Sequence, residues 1–502
     1  MTFSRFMQRA GAVAAALLVV ACGGGDSDVP PTPTPGPTAD RIEPFDPSLV
    51  GAGKSATLKT PDEVAAPRRS APQATPVRLG PLDDAALQLL QKKFAAAPGV
   101  RQQIGVARSV TTTATRAALL AQLQWQATGS GRQRAAISFT AQGAFGVRVG
   151  VQVRSLPPGT TLRFYAQGGE AVLEVTGDEV LQTVQRNLDA GDTEGTARTY
   201  WSPDFGGPET TLELELSAQA NLAQLDVAVP MLSHYFVSPT QAASSTMAKV
   251  GEAASCHVDV VCRPELSSES RAVARMFFVD NGRAYLCTGT LLNDSRNSTT
   301  PYFLSAHHCI STQSAASSLT TDWFFLSSAC NSGVLSPATR RLASGALLLY
   351  SDATTDTAFM RLNAAAPQGS VFAGSYFGEM AQGAAVVGLH QPKGDLQKIS
   401  LGVVAQFSNC ANEFCTISTA QDGRYLAVGW SQGTTEPGSS GSGLFYAIGS
   451  QRYLVGQLYG GSASCQNPTG QDQYGRFDVA FRSVLKNWLK PVDVTQRAPV
   501  AP

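Results

Sequence analysis

Apolar and polar residues alternate along one stretch in the first half of the chain. Four valines occupy every second position there, and arginine, glycine and glutamine separate them. They are Val147, Val149, Val151 and Val153. The segment "TLELEL" at 211–216 has the same period, which is typical of strands with one buried face. With "PPG" and "GG" as turns, the region from about 117 to 238 is predicted to form a β-sandwich.

Helical spacing replaces this alternation in two places. Asp83 precedes a segment whose apolar residues recur at helical intervals, so a helix capped by Asp83 is predicted before the sandwich. Its apolar positions are Leu87, Leu90 and Phe94. The segment "FRSVLKNWLK" has the same spacing, at Phe481, Leu485, Trp488 and Leu489. The chain as a whole is predicted to be largely β.

The start of the chain has the composition of a targeting signal. Residues 1–22 combine Arg5 and Arg9 with the short apolar run "AGAVAAALLVVA" and end at Cys22, as a signal peptide does. The letters "VVAC" resemble a bacterial lipobox, in which Cys22 would be lipidated. An ordinary export signal that contains a cysteine is the alternative. Either interpretation places the chain in an oxidising compartment, where disulfides persist.

Changes in composition predict the domain boundaries. A linker rich in Pro, Ala and Thr at 23–80 is predicted to be disordered, and a first domain follows at 81–249. The segment "HYFVSPTQAASSTMAK" loses the alternation and separates this domain from a second one at 250–490. A disordered tail is predicted at 491–502. The 502 residues are enough for two or three domains of about 100–200 residues each.

Charge and cysteine usage exclude several classes of function. The formal net charge is zero and the pI is about 6.9, which favours neither nucleic acid nor an anionic surface as a partner. No CxxC pair or His-rich cluster is present, so the sequence predicts no metal site and no cofactor. Eight cysteines lie in the second domain, and their even number predicts up to four disulfides. They are Cys256, Cys262, Cys287, Cys309, Cys330, Cys410, Cys415 and Cys465.

The segment "TTEPGSSGSGLF" at 434–445 is the first candidate for chemistry. A Gly- and Ser-rich run is often a linker, but here apolar and aromatic segments flank it on both sides. A tight turn that presents a nucleophile is the other interpretation. The candidate nucleophiles are Ser439, Ser440 and Ser442. A serine acts as a nucleophile only when a base and an orienting acid are near, so the choice depends on the rest of the chain.

A base and an acid occur upstream of that turn. His308 ends the apolar segment of "PYFLSAHHC", and a bridge between Cys287 and Cys309 would pin its loop. Asp356 leads into the apolar run "TAFM", which favours a carboxylate held next to imidazole rather than in water. The neighbouring candidates are His307 for the base and Asp352 for the acid.

The order His, Asp, Ser matches the chymotrypsin order of the catalytic triad. "SAHHC", "DTAFMRL" and "GSSGSG" resemble the signature segments of trypsin-like serine peptidases. "EPGSSGS", "GQLYGG" and "DQYGRF" are similar to the bacterial lysyl endopeptidases, over about 250–490. "YWSP" and "TTLELEL" resemble the pro-regions of such enzymes. The resemblance implies an all-β fold, with a chymotrypsin-like double β-barrel catalytic domain after a β-sandwich pro-domain.

The same resemblance assigns roles within the turn. Ser440 matches the nucleophile, and the amides of Gly438 and Ser440 would form the oxyanion hole. Animal trypsins have an aspartate before the nucleophile, which pairs with the newly freed N-terminus; here that residue is Ser439. Removal of the pro-segment is therefore expected to unblock or release a site that is already formed.

The resemblance also predicts how the substrate binds. Thr434 occupies the position of the trypsin pocket aspartate and carries no charge. Lysyl endopeptidases place their pocket aspartate after the "GG" strand, which matches Asp472; a simple turn residue is the alternative. Four further residues are assigned to substrate binding by the match: Trp430, Tyr459, Gly460 and Gly461. Tyr459 stands where these enzymes often have a histidine that supports the catalytic imidazole.

The distribution of lysine agrees with specificity for lysine. No lysine occurs from Phe94 to Ala248, although ten arginines do, and the next residue is Lys249. The resemblance places the mature start just after it, so self-cleavage between Lys249 and Val250 is expected. It also implies the bridges Cys256–Cys465, Cys262–Cys330 and Cys287–Cys309, which leaves Cys410–Cys415 as the remaining pair.

The leading hypothesis is an exported serine endopeptidase, made as a zymogen, that cuts after lysine. Its expected partners are polypeptide substrates and its own pro-domain, as a monomer that meets the membrane only through a lipid on Cys22. One alternative is a trypsin-like peptidase of broader specificity, including arginine or small residues. The other is a surface lipoprotein whose β-sandwich binds a ligand and whose peptidase domain is inactive.

Overall fold

A computed structural model of the chain describes residues 40–49, 72–93, 100–238, 253–411 and 414–491. The predicted signal peptide with Cys22, the processing residues Lys249 and Val250, and all but the first residue of the predicted tail lie outside these ranges. Among the described residues, no helix combines the length and apolar character needed to cross a bilayer.

Strands make up most of the described structure, and the helices are short. The strands before residue 240 are β1 (Arg41–Ile42), β2 (Ala74–Leu79), β3 (Gln102–Gln103), β4 (Gly105–Ser109), β5 (Gln126–Ala127), β6 (Gln133–Ala141), β7 (Gly146–Ser155), β8 (Thr161–Tyr165), β9 (Val172–Thr176), β10 (Thr199–Trp201), β11 (Glu209–Leu216) and β12 (Asp226–Tyr235). Those after it are β13 (Val258–Asp259), β14 (Val273–Asp280), β15 (Arg283–Leu292), β16 (Tyr302–Ala306), β17 (Thr320–Trp323), β18 (Arg340–Leu342), β19 (Ala346–Asp352), β20 (Thr357–Leu362), β21 (Gly374–Tyr376), β22 (Ala385–His390), β23 (Lys398–Ala411), β24 (Phe414–Ser418), β25 (Tyr425–Gln432), β26 (Gly443–Ile448), β27 (Gln451–Gly461) and β28 (Gln471–Arg476). The α-helices are α1 (Asp84–Lys93), α2 (Arg116–Gln122), α3 (Gly177–Asp189), α4 (Glu194–Ala197), α5 (Ser267–Ser270), α6 (Gln313–Ser317), α7 (Phe477–Ala480) and α8 (Lys486–Leu489).

The first half of the chain forms two facing sheets, and the all-β prediction is confirmed. One sheet has the strand order β10-β7-β12-β4, and the other has the order β2-β6-β11-β8-β9, with β5 beside β6. The four alternating valines of β7 are fully buried between the sheets. Helix α1 begins one residue after Asp83, whose side chain accepts a hydrogen bond from the Ala85 amide, as a cap does.

The predicted disorder of 23–80 is wrong for two segments. β1 pairs with β21 of the second half, and β2 pairs in parallel with β6 inside the sandwich. Arg148 also departs from the alternation, since the pattern places it on the solvent side of β7 yet it is buried. It donates hydrogen bonds to the carbonyls of Ser202 and Ser318. In each case a distant part of the chain supplies the partner, which local composition does not reveal.

The second half forms two antiparallel sheets. The first follows the order β18-β17-β14-β15-β16-β20-β19, and β3 from the first half adds to β15. In the second, β27, β26, β22, β23, β25 and β28 follow one another, and β28 pairs again with β27. This closes a six-stranded barrel. The loops that leave β16, β19 and β25 carry His308, Asp356 and Ser440, the residues of chemical interest.

Four disulfides hold the second half together: three are the pairs that the resemblance implies, and the fourth is the pair that remained. They are Cys256–Cys465, Cys262–Cys330, Cys287–Cys309 and Cys410–Cys415. The bridge at Cys287 joins β15 to the residue that follows His308. The strand and the candidate histidine are therefore tied covalently.

A buried charge cluster supports the first sheet of the second half. Asp322 is 2 % exposed and accepts hydrogen bonds from Arg275 at 2.6 Å and from Arg341 at 2.7 Å. Arg341 also pairs with Asp204 of the first half at 3.2 Å. Burial by itself would raise the pKa of Asp322, but the two guanidinium groups outweigh it and lower the pKa to about 2.

Asp322→Asn is expected to lower the free energy of unfolding at pH 7 by about 3–5 kcal/mol, because two buried guanidinium groups lose their carboxylate. Urea unfolding in a Ser440→Ala background, which avoids self-digestion, measures the effect. The difference should shrink as the pH falls from about 4 to 2, since the carboxyl becomes protonated in the folded chain as well. Asp422→Asn, at an exposed turn, serves as the control. Equal effects of the two substitutions would contradict the prediction.

Candidate active site

His308 and Asp356 meet where two neighbouring strands end. β16 and β20 pair antiparallel with Ala306 opposite Thr357, so the residues just beyond them are adjacent. The His308 ring Nδ1 lies 2.8 Å from Asp356 Oδ2, and the His308 amide donates to Asp356 Oδ1 at 2.8 Å. Because Asp356 is only 2 % exposed and uses both oxygens, it fixes the ring and assigns the proton to Nδ1. Nε2 is then free to act as a base.

The rival residues have other partners. His307 Nδ1 is 2.7 Å from the Ser351 hydroxyl, and its amide donates to the Asp356 carbonyl. Asp352 accepts hydrogen bonds from the amide and hydroxyl of Thr354 in an exposed turn. The structure thus brings His308, and not His307, to the Asp356 carboxylate.

The loop that carries Ser440 runs between β25 and β26 and is held by β15. Thr288 of β15 donates its amide to the Ser440 carbonyl at 2.8 Å and its hydroxyl to the Gly438 carbonyl at 2.9 Å. Gly441 lies against β16: a Cβ at this position would come 2.1 Å from Ser305 Oγ and 2.8 Å from the Ala306 amide nitrogen. Only glycine allows this approach, which seats the loop two residues from His308.

Within the described residues, no hydrogen bond joins the Ser440 hydroxyl to His308. Hydrogen bonds between a nucleophile and its base are often long without substrate and tighten in the substrate complex. Ser440 is 6 % exposed, so its side chain is nearly enclosed by the loop.

Two backbone amides of the loop are left without partners. In the described part of the chain, neither the Gly438 nor the Ser440 amide donates a hydrogen bond, while their carbonyls are held by Thr288. Gly438 has a φ of +97°, and a Cβ there would lie 3.0 Å from Leu286 Cδ2. A pair of unpaired amides beside a serine can bind the oxyanion of a tetrahedral intermediate.

His390 holds both ends of this loop, and sequence analysis did not identify it. The ring is fully buried at the end of β22, with Nδ1 2.8 Å from Ser439 Oγ and Nε2 3.0 Å from Ser400 Oγ. The Ser400 hydroxyl donates to the Thr434 carbonyl at 2.7 Å, so it must accept from Nε2–H. Ser439 therefore donates to Nδ1. Burial, with a smaller effect of His257, lowers the pKa of His390 well below its usual range. The ring is neutral.

Glu436 anchors the segment that begins the described part of the second half. Its carboxylate accepts from the Ala254 amide at 3.0 Å and lies 2.8 Å from His257 Nε2 and 3.3 Å from Lys393 Nζ. Burial would raise the pKa of Glu436, but the bonds from His257 and Ala254 outweigh it and lower the pKa. Sequence analysis missed this residue too, because its partners are more than forty residues away.

Asp472 lies on β28 and is completely buried. Its Oδ2 accepts hydrogen bonds from Trp430 Nε1 at 2.7 Å and from the Thr435 hydroxyl at 2.8 Å. Burial raises the pKa of Asp472 to about 6, against the lowering effect of Trp430 and Thr435 and a smaller one of the Ala463 amide. Oδ1 makes no hydrogen bond of normal geometry in the described part of the chain.

Glycines pack closely against that carboxylate. A Cβ on Gly461 would come 2.4 Å from Asp472 Oδ1, and Gly460 has a φ of +138° at a β-bulge between β27 and β28. Thr434 is buried, and within the described residues its hydroxyl has no hydrogen-bond partner. Four of the predicted substrate-binding residues therefore lie near one another, in space or along the chain: Asp472, Trp430, Gly461 and Thr434.

Tyr459, another of the predicted substrate-binding residues, lies next to His308. Its ring meets the His308 ring edge-on, with centroids 5.8 Å apart and planes at 89°. It thus contacts the imidazole, as the histidine at this position was expected to do.

Among the described residues, one group has the residue types of a metal site: Cys256, His257 and Cys465. The two cysteines form a disulfide and so have no thiolate to offer, which leaves only the His257 ring, and its Nε2 already bonds Glu436. These residues do not fit a metal ion.

Two family models and one related protein together match most of the chain. The family model of the lysyl endopeptidase N-terminal domain matches residues 78–236, and that of the lysyl endopeptidase C-terminal domain matches 250–475. A lysyl endopeptidase of Pseudomonas aeruginosa is 31 % identical over 407 residues, which cover 78 % of this chain and 82 % of that protein. The chain is a serine endopeptidase. It belongs to the lysyl endopeptidase family.

Two solved structures resemble this chain with low sequence identity and low TM-scores. The HtrA-type protease AlgW with tripeptide has a TM-score of 0.31 and 15 % identity, over 44 % of this chain and 62 % of that one. The Rv3671c protease from M. tuberculosis has a TM-score of 0.32 and 13 % identity, over 50 % of this chain and 94 % of that one. The family assignment comes from the sequence matches alone.

His390→Phe is expected to lower kcat by about 10–100-fold and to leave KM within about threefold. The loop with the two unpaired amides loses its support, and loss of one oxyanion donor costs about 10²–10³ in kcat. Steady-state kinetics on the processed enzyme measure both constants. Ser439→Ala removes the same contact, so the double variant should be no slower than the slower single variant. Additive losses, or a change confined to KM, would show that His390 does not act through Ser439.

Proposed function

We propose that the chain is the zymogen of an exported serine endopeptidase that cleaves on the carboxyl side of lysine. Ser440 is the nucleophile, His308 the general base and Asp356 the residue that orients it. Gly438 and Ser440 supply the oxyanion hole. The observation that carries the proposal is the His308–Asp356 pair beside a loop whose two amides are unpaired.

The chemistry follows from these positions. His308 Nε2 takes the proton of the Ser440 hydroxyl as its oxygen attacks the scissile carbonyl carbon. The carbonyl oxygen becomes an oxyanion and accepts hydrogen bonds from the Gly438 and Ser440 amides. His308 then gives its proton to the leaving amine, which leaves an acyl-enzyme on Ser440. Water, deprotonated by the same ring, releases the acid. Asp356 stabilises the imidazolium formed in both halves.

Specificity for lysine is proposed to come from Asp472. A lysine stem that reaches the buried carboxylate would bring an ammonium group to the unpaired Oδ1. A substrate without this cation leaves the carboxylate buried and unpaired, which costs several kcal/mol. The absence of lysine from Phe94 to Ala248, followed by Lys249, supports the same specificity. Trp430, Thr434, Tyr459, Gly460 and Gly461 are proposed to line the substrate site.

Export and processing complete the proposal. The leader with Cys22 would direct the chain across the inner membrane and attach a lipid, and the domain at 81–249 would act as the pro-domain of the domain at 250–490. Cleavage between Lys249 and Val250 would free the enzyme, which acts as a monomer. The neutral Ser439–His390 contact supports a site that forms before cleavage, because no ion pair with a new N-terminus is required.

Lysyl, arginyl and alanyl amide substrates test the reaction and its specificity. The purified chain is expected to cleave the lysyl substrate about 10² times faster than the arginyl one, and Ser440→Ala to lose on the order of 10⁶ in kcat. Asp472→Asn should lower kcat/KM for the lysyl substrate by about 10²–10³ and change the alanyl value by less than about threefold. Arginyl cleavage as fast as lysyl cleavage would remove the role of Asp472. Cleavage of none of the three would refute the peptidase.

The buried carboxylate also predicts a dependence of stability on pH. Its pKa is about 6 in the folded chain against an ordinary 3.8, so stability falls as the pH rises from about 4 to about 6 and stays at the lower level above that. In a Ser440→Ala background, Asp472→Asn should raise the free energy of unfolding at pH 7.5 by up to about 3 kcal/mol and leave it unchanged near pH 4. Urea unfolding at the two pH values measures this. A loss of stability at pH 7.5 would mean that Asp472 is a stabilising ion-pair partner instead.

A further inference from the structure

One edge of β15 is shared between the peptidase and the first half of the chain. β15 pairs with β14 along one edge. Along the other edge, within the described residues, β16 covers Thr290–Leu292 and β3 covers Tyr285 and Leu286. The Ile104 amide extends this ladder by donating to the Ala284 carbonyl at 2.9 Å. A strand from the first half therefore lies directly beside the strand that holds the Ser440 loop.

The pairing of β3 with β15 locates β3 relative to the proposed catalytic residues. Leu286 contacts the Gly438 turn, and Cys287, the next residue, is bridged to Cys309. His308 Nε2 lies 3.8 Å from the Cys309 sulfur. Since Nε2 gives its proton to the leaving amine, the substrate residues after the scissile bond must pass this side of the site. The proposed lysine pocket is reached elsewhere, at β28 and β27.

Arg101, the residue before β3, fastens the strand there. Its Nη1 donates to the Cys309 carbonyl at 3.1 Å, and its Nη2 forms an ion pair with Asp280. The guanidinium group also lies over the Tyr285 ring, 3.8 Å from the centroid. One side chain thus contacts three residues of the peptidase, including the neighbour of His308. Because it is an arginine, the proposed lysine pocket would spare it.

The rest of the first half keeps the strand in place. Ile104 and Tyr235 pack in one buried cluster with Phe277, Val279, Ala284 and Leu286 of the peptidase. Buried Arg148 donates to the Ser318 carbonyl at 2.6 Å. Asp192 accepts from both the amide and the hydroxyl of Ser314, each at 2.6 Å. β3 is part of a domain-sized contact and not an isolated segment.

We propose that Arg101–Gln103 is an inhibitory strand that occupies the leaving-group side of the substrate cleft on β15. The inference rests on the proposed function of the chain as a zymogen. Extended polypeptides that need the same edge compete with β3, whereas a lysyl substrate with a compact leaving group does not. The precursor is then a formed enzyme that is closed to proteins and open to small substrates.

Two substrates separate this mechanism from a blocked or unformed site. One is a blocked lysyl anilide, and the other is an internally quenched peptide with six residues after a single lysine. The full chain with Lys249→Ala, shown to be intact by mass spectrometry, should hydrolyse the anilide within about threefold of the processed wild type and the peptide at least about tenfold more slowly. Adding Arg101→Ala should restore peptide cleavage by about tenfold or more and leave the anilide rate unchanged.

A second variant of β3 and a control variant complete the test. Gln102→Pro disturbs the pairing of β3 without touching Arg101, and it should also restore peptide cleavage. Arg154→Ala, an exposed arginine on β7 of the same domain, should not. Equal slowing of both substrates in the Lys249→Ala chain, or no restoration by either β3 variant, would overturn the inference. If the processed wild type cleaves neither substrate, the proposed function itself fails.

Discussion

The contact between Thr288 and the Ser440 loop is the constraint on which the rest of the site depends. The amide and hydroxyl of this one β15 residue hold the carbonyls of Ser440 and Gly438, and within the described residues the amides of the same two residues stay unpaired. β15 is in turn fixed by β14, by β16 and by the bridge from Cys287 to Cys309 beside His308. A displacement of this strand would move His308, Ser440 and the two unpaired amides of the described loop together.

Neutral hydrogen bonds hold Ser439, at the position where animal trypsins have an aspartate that forms an ion pair. In the fully buried His390 ring, one nitrogen accepts from Ser439 and the other donates to Ser400, which reaches the Thr434 carbonyl. Such a network needs no charge from a newly cut chain end, because every partner is already present in the uncut chain. If the chain is a zymogen as proposed, its activity would be controlled by access to the cleft, where β3 pairs with β15.

The proposed function of Asp472 requires a buried carboxylate, which lowers the stability of the fold. A carboxylate with no exposure to solvent and one unpaired oxygen is unfavourable in the free protein, and its raised pKa records that penalty. Gly461 packs against the same carboxylate so closely that a side chain there would collide with Oδ1. The proposed selectivity for a cation would follow from the same arrangement, since only a cationic substrate group would pair with this carboxylate.

The sequence by itself determined features that depend on near neighbours. The alternation in β7, the helix after Asp83 and the local settings of His308, Asp356 and Ser440 could all be read from a few adjacent residues, because periodicity and turn composition are local properties. The tertiary structure decided everything that joins distant segments: strands β1 and β2 within a supposed linker, the burial of Arg148, the clamp of His390 and the pairing of β3 with β15. These partners lie far apart in the chain, so their hydrogen bonds exist only once the sheets have formed.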